Sequence, residues 1–278
     1  MKIHNETMNM KRKVLSVLKI CLAVIAVWIV FLPNSDPSVS PEAPTRGVGN
    51  AAALTGRCLW IHILIDDPES AFGDGDIQNV AENVAAAAEF LAAKAPVPLE
   101  LTGNQPDLWL RCDSSLAVSD ELEKAGWIYH LIDQQQQEID QLRRKYRPDS
   151  VALLLHINKT GRSFTISQRV GGDERYNTEF SLLFTAAADA AGTVLPATAF
   201  VYIHETLHQF GAVDLYFPFD QDDARRELAA RLFPGDIMLA YTRKPEQASL
   251  SDVDAYLIGW QEHIRRSKTS FLNAIEDG

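Results

Sequence analysis

The stretch His204–Asp214 reads HETLHQFGAVD, and the rest of the chain is best understood outward from it. It lies at the end of an apolar run, Ala197 to Phe210, that suits a helix, with Pro196 at a tolerated first-turn position and Gly211 as a stop. On a helix, positions i and i+4 share a face, so His204 and His208 can aim both imidazoles at one ion. A catalytic zinc needs three protein ligands and keeps a fourth position open for water. Gly211 can take positive φ, end the helix and turn the backbone back, which lets Asp214 supply the third ligand. Glu205 then stands beside the ion as general base and acid, taking a proton from water and passing it to a leaving amine.

His204, Glu205, His208, Gly211 and Asp214 match HExxHxxGxx(H/D). The chain therefore resembles the metzincin metallopeptidases, in the variant with aspartate as third ligand found in the snapalysin group. The resemblance covers Leu195 to Trp260, about a quarter of the chain. It implies a zinc-dependent endopeptidase that binds Zn2+ through His204, His208 and Asp214 and acts on a protein or peptide substrate. It also implies a Met-turn beneath the ligands, which PGDIMLAY (Pro234 to Tyr241) resembles, with Met238 as its methionine. Tyr241 is a candidate to hydrogen-bond the developing oxyanion, although it stands three residues after Met238 where astacin-like members have two. Tyr216 is a second candidate for that task.

A rival third ligand is Glu227, on the helical pattern DQDDARRELAARLF. Asp214 is preferred, because the Gly211 stop and the close aspartate complete the coordination locally, whereas a ligand such as Glu227 requires a second helix crossing the first. Glu227 then belongs to a solvated face with Arg225, Arg226 and Arg231.

Around this helix the pattern reads as an α/β (α+β) domain. Strands are predicted at 58–66, 99–103, 108–112, 151–157, 164–170 and 180–186, and helices at 76–94, 120–146 and 251–267, the last capped by Ser251 with Asp254. A twisted mixed sheet that precedes the zinc helix, with a C-terminal helix after the Met-turn, is also the metzincin-like layout. His62 and His156 fall on apolar strands and read as structural histidines. Asp74, Gly75 and Asp76 read as a helix cap more than a calcium loop, since the other ligand positions are missing. Cys58 and Cys112 both lie on predicted strands, either bridged or as two buried thiols.

Lys11, Arg12 and Lys13 precede an apolar run from Val14 to Leu32 broken by Lys19. This predicts an uncleaved signal anchor over residues 1–33, a single membrane span with the remainder on the extracytoplasmic side, with a cleaved signal peptide and secretion as the alternative. Residues 34–56, with prolines at 37, 41 and 44, read as an extended linker, and 57–278 as one metallopeptidase-like domain. The net charge is −11, and residues 34–278 carry 21 basic against 36 acidic side chains, or −15. Such a field opposes binding to nucleic acid. Two further functions are compatible with the motif: a membrane-tethered zinc-binding interaction module without turnover, and a non-peptidase zinc amidase of the cell envelope.

Overall fold

The computed structural model describes residues 53–113, 121–167, 178–188, 191–215, 223–239 and 245–264. All belong to one compact unit, Pro44–Gly278. The strands are β1 (Gly56–Asp66), β2 (Leu99–Thr102), β3 (Leu110–Asp113), β4 (Ser150–Thr160), β5 (Phe164–Ile166), β6 (Phe180–Ala188) and β7 (Val194–Pro196). The helices are α1 (Asp74–Lys94), α2 (Glu121–Gln134), α3 (Gln136–Tyr146), α4 (Ala199–Gln209), α5 (Asp223–Leu232) and α6 (Asp252–Leu257).

The strands form one mixed sheet in the order β2-β1-β4-β6-β5, with β3 also on β1 and β7 also on β6. The first four pairings around β1 and β4 are parallel, while β5 and β7 run antiparallel to β6. Parallel neighbours need crossovers, and around β1 the helix α1 and the α2–α3 pair supply them, whereas the connection from β4 to β6 runs through β5. The composition of the central strands follows from burial on both faces. On β1 and β4, Leu59, Ile61, Ile63, Ile65, Val151, Leu153, Leu155 and Ile157 pack under α2 and α3, against Ile128, Leu131, Ile132 and Ile139. The alternate positions Trp60, Leu64, Ala152 and Leu154 pack under α1 and α4, against Val84, Phe90, Tyr202 and Ile203.

Several expectations are corrected. The helix predicted over 120–146 is two helices, broken at Gln135 (φ −94°, ψ 3°). The closing helix does start at Ser251, whose hydroxyl accepts from Asp254 N–H, but it ends at Leu257, and Gly259 (φ 85°) turns the chain away. Strand β5 stops at Ile166, and 168–170 lie outside the described residues. Cys58 and Cys112 are both free. They belong to opposite faces of the sheet, Cys58 in the α1/α4 core and Cys112 in the α2/α3 core, so no bridge can span them. Burial pushes each thiol up to about 12. The expected membrane-spanning signal anchor and single-pass membrane localisation are also corrected. No helix among the described residues is long and apolar enough to cross a membrane. The longest, α1, has 21 residues and carries Asp, Asn, Glu and Lys side chains along its length. The run 1–33, from which that expectation came, lies outside the described residues.

The N-terminus of α1 has half of a capping box: Asp76 Oδ2 accepts from Gly73 N–H at 3.0 Å, while the glycine N-cap has no side chain to answer it. Asp76 thus serves as the helix cap that the sequence suggests.

His62 and His156 meet inside the α1/α4 core, Nδ1 to Nε2 at 2.9 Å, with His156 stacked on Tyr202 of α4. Burial, then the neighbouring ring, lowers the His62 pKa well below its ordinary value, and burial lowers that of His156 to about 3. An unfolded chain takes up these protons near pH 6.5 while the folded chain stays neutral. The stability this neutrality contributes is therefore present above about pH 6.5 and lost as pH falls toward the folded values. The expected slope approaches about 1.4 kcal/mol per pH unit for each histidine. Denaturant unfolding at about pH 7 and about pH 5 checks it: a His62→Leu, His156→Leu double variant is expected to lose most of that slope, and an unchanged slope would exclude the pair as its origin.

Candidate metal centre

Helix α4 begins after Thr198 in extended backbone (φ −119°, ψ 166°) and ends in a turn that builds the site. Pro196 lies in β7, so the first turn opens two residues later than its proline suggested. At the other end Gly211 takes φ 98°. Gly211 N–H donates to His208 O (3.0 Å) and Ala212 N–H to Leu207 O (3.1 Å), the paired bonds of a Schellman stop. This return has a direct chemical result: it brings Ala212 O to 2.9 Å from His208 Nδ1. His204 Nδ1 likewise donates to Ile237 O at 3.0 Å. With each Nδ1 proton committed to a carbonyl, each neutral ring keeps a bare Nε2.

The two Nε2 atoms lie 3.2 Å apart, and Asp214 Oδ1 is 3.1 Å from that of His204 and 3.3 Å from that of His208. Donors about 2.0–2.1 Å from a tetrahedral ion are about 3.3 Å from one another, so this triangle fits such an ion. Among the described residues, these three form the cluster able to hold a metal. Glu227 is exposed on α5 and stands outside it. Without an ion the triangle concentrates lone pairs, which the protonation equilibria register. For His204, burial opposes charge, but the Asp214 hydrogen bond, the Glu205 and Asp214 charges and the Ile237 carbonyl outweigh it and raise the pKa to about 9. For Asp214, burial opposes ionisation, and the hydrogen bonds from His204 and His208 outweigh it, holding the carboxyl far below its usual range.

Glu205 is buried and anchored from below. Gln209 Nε2 donates to Leu153 O (2.9 Å) and Ser181 Oγ (2.7 Å), and Gln209 Oε1 accepts from Leu153 N–H (3.1 Å). Ser181 Oγ donates to Glu205 O (3.0 Å), and Thr165 Oγ1 donates to Glu205 Oε2 at 2.8 Å. Glu205 Oε1 takes none of these bonds. His204 and Glu205 both line a cleft of about 510 Å³, walled by Phe184, Phe200 and Val201, with the Phe200 ring stacked on His204.

The segment containing Met238 passes directly beneath the site. Ile237 O fixes His204, and Met238 O accepts from the N–H of Leu215, next to Asp214 (2.9 Å). The segment is itself held by two fully buried carboxyls. Asp236 accepts from the N–H groups of Met238 and Ser251, and Asp254 accepts from Ser251 Oγ at 2.9 Å and from Val213 N–H. Burial, then the Asp236 charge, pushes the Asp254 carboxyl well above the usual range, while Asp236, also raised by burial, has two backbone donors to favour its charge. Asp254 is therefore the neutral member. An acid raised on folding binds more protons in the native state, so stability falls as pH rises from the ordinary carboxylate value toward the folded one. Asp254→Asn, a neutral isostere, is expected to remove that loss, gaining on wild type by up to about 1.4 kcal/mol per pH unit. Unfolding free energies of the two proteins from about pH 5 upward check it; a constant difference would show that Asp254 carries no proton.

The structure thus brings His204, His208 and Asp214 together, with Glu205 on the same cleft and Met238 bonded through its backbone to Leu215. Tyr216 and Tyr241 lie outside the described residues. Sequence reading missed Thr165, Ser181, Gln209, Asp236 and Asp254, for which the available signal was polar residues inserted in apolar runs. No family model matches this chain, and no curated protein matches it.

Proposed function

We propose that this chain is a zinc-dependent endopeptidase of metzincin type, in which His204, His208 and Asp214 hold Zn2+ and Glu205 is the general base and acid. The observation that carries this reading is the convergence of two imidazole Nε2 atoms and one carboxylate oxygen within 3.3 Å, beside a carboxylate that lines the same cleft. The mixed N/N/O donor set and near-tetrahedral spacing suit zinc with one position left open. Bound there, zinc would acidify water and polarise a scissile carbonyl.

The chain's own residues supply the rest. Thr165 occupies Glu205 Oε2, which leaves Oε1 to take a proton from the attacking water and deliver it to the departing amine. Ile237 O and Ala212 O hold both rings in the tautomer that presents Nε2. The apolar walls of the cleft, Phe184, Phe200 and Val201, exclude water from a bound chain. Asp236 and Asp254 keep the turn under His204 in place.

The test is metal removal. Hydrolysis of an unfolded protein substrate by the full chain is expected to vanish after chelation and return with stoichiometric zinc. Hydrolysis indifferent to the chelator would refute a metal mechanism, and a zinc-loaded chain that cleaves no peptide would refute the peptidase.

A further inference from the structure

One wall of the cleft is the turn between β4 and β5, and it carries Arg162, the guanidinium among the described lining residues and the one cation there outside the His204–His208–Asp214 cluster. The turn is fastened on both sides of that residue. Gly161 N–H donates to Ala186 O (2.9 Å), and Ser163 Oγ accepts from Phe184 N–H (3.1 Å). Gly161 lies flush on the Phe184 ring, since a Cβ there would come within 2.3 Å of it. The backbone under Arg162 is therefore set by the sheet. Its guanidinium is exposed and makes no ion pair with any described residue. With a net charge of −15 over residues 34–278, a cation that pairs with no described residue, beside an apolar cleft, is out of keeping with its surroundings. Long-range attraction of anions is unfavourable here, yet screening confines that field to about 8–10 Å, so inside the cleft the nearest charge dominates.

The cleft thus presents three chemistries together: an apolar surface from Phe184, Phe200 and Val201, the Glu205 carboxylate, and the Arg162 guanidinium. An anionic group would be repelled from Glu205 and received by Arg162, which fixes the direction in which a ligand lies. We propose that this cleft selects peptides that combine a bulky apolar side chain with a carboxylate, and that Arg162 is the specificity-determining residue that receives the carboxylate. The carboxylate can be a chain terminus or an acidic side chain; the recognition chemistry is the same. This deepens the peptidase reading and rests on it only in calling the ligand a substrate.

Binding is measured on the full chain after chelation, so that a peptide carboxylate cannot ligate a metal instead. The probes are acetyl-Ala-Phe free acid beside its amide, and acetyl-Ala-Phe-Glu amide beside acetyl-Ala-Phe-Gln amide, titrated by NMR. At least one acid is expected to bind about three- to five-fold tighter than its neutral partner, the range of a solvent-exposed ion pair. That preference is expected to shrink with salt, to disappear in Arg162→Gln and to survive in part in Arg162→Lys. Which acid shows it identifies the terminal or side-chain source. Equal binding of both acids and their neutral partners, a preference unchanged in Arg162→Gln, or no binding by any of the four overturns the proposal. Because no metal or turnover enters these titrations, failure here leaves the chelation test intact, and failure there leaves these affinities standing.

Discussion

Glu205→Gln is expected to retain stoichiometric zinc and to lose peptide hydrolysis by about 10²- to 10⁴-fold, the contribution typical of a positioned general base. The substitution is conservative where it needs to be. A glutamine carbonyl can still accept from Thr165 Oγ1, as Glu205 Oε2 does at 2.8 Å, so the network through Ser181 and Gln209 should persist and the fold with it. What is lost is the ability to take a proton at the other oxygen. The measurements are elemental analysis after dialysis and kcat on one substrate, wild type beside variant. Retained zinc with undiminished kcat would assign the base elsewhere. Loss of both would mean that Glu205 supports the ligands and leave its proton-transfer role unsupported.

Asp214→Ala is expected to act on the other quantity, the ion itself. It removes one of three donors and leaves two imidazoles, so zinc affinity should fall by more than about 100-fold, beyond what loss of a hydrogen bond behind a ligand costs. After exhaustive dialysis, wild type should hold one zinc per chain and the variant much less. The same variant removes the first-named of the contacts that raise His204 above its ordinary pKa. His204 should then titrate lower in the metal-free variant than in metal-free wild type, which NMR can follow. Equal zinc in both proteins would exclude Asp214 as a ligand, and no zinc in either would sink the hydrolase reading as a whole.

How much of this was legible in the sequence depended on how local each feature is. The His204–His208–Asp214 cluster could be read because it is contiguous: histidines at i and i+4, then a glycine whose positive φ returns the chain. The strands were legible because burial on both faces leaves an unbroken apolar run, as in β4. The break at Gln135 was not, since neither glycine nor proline marks it and the competing packing of α2 and α3 lies elsewhere in the chain. The cysteines could not be resolved either. Which face Cys58 or Cys112 occupies depends on the strand register, and the register is set by partners distant in sequence. The pairing of Asp236 with Asp254 was invisible for the same reason: 18 positions separate two carboxyls that become neighbours only when the turn folds. The N-terminal apolar run showed the opposite risk, a strong local pattern to which the described residues add no spanning helix.

The amide of Gln209, bonded to both the N–H and the C=O of Leu153, has a mechanical meaning. It behaves as a dowel between helix and sheet, making with one side chain the two bonds that a neighbouring strand would make. A dowel blocks sliding along the helix axis and rotation about it, the two motions that a purely greasy interface resists least. The placement of Glu205 is thereby inherited from the central strand β4, so a metal bound as proposed would meet a carboxylate whose alignment is set by the sheet.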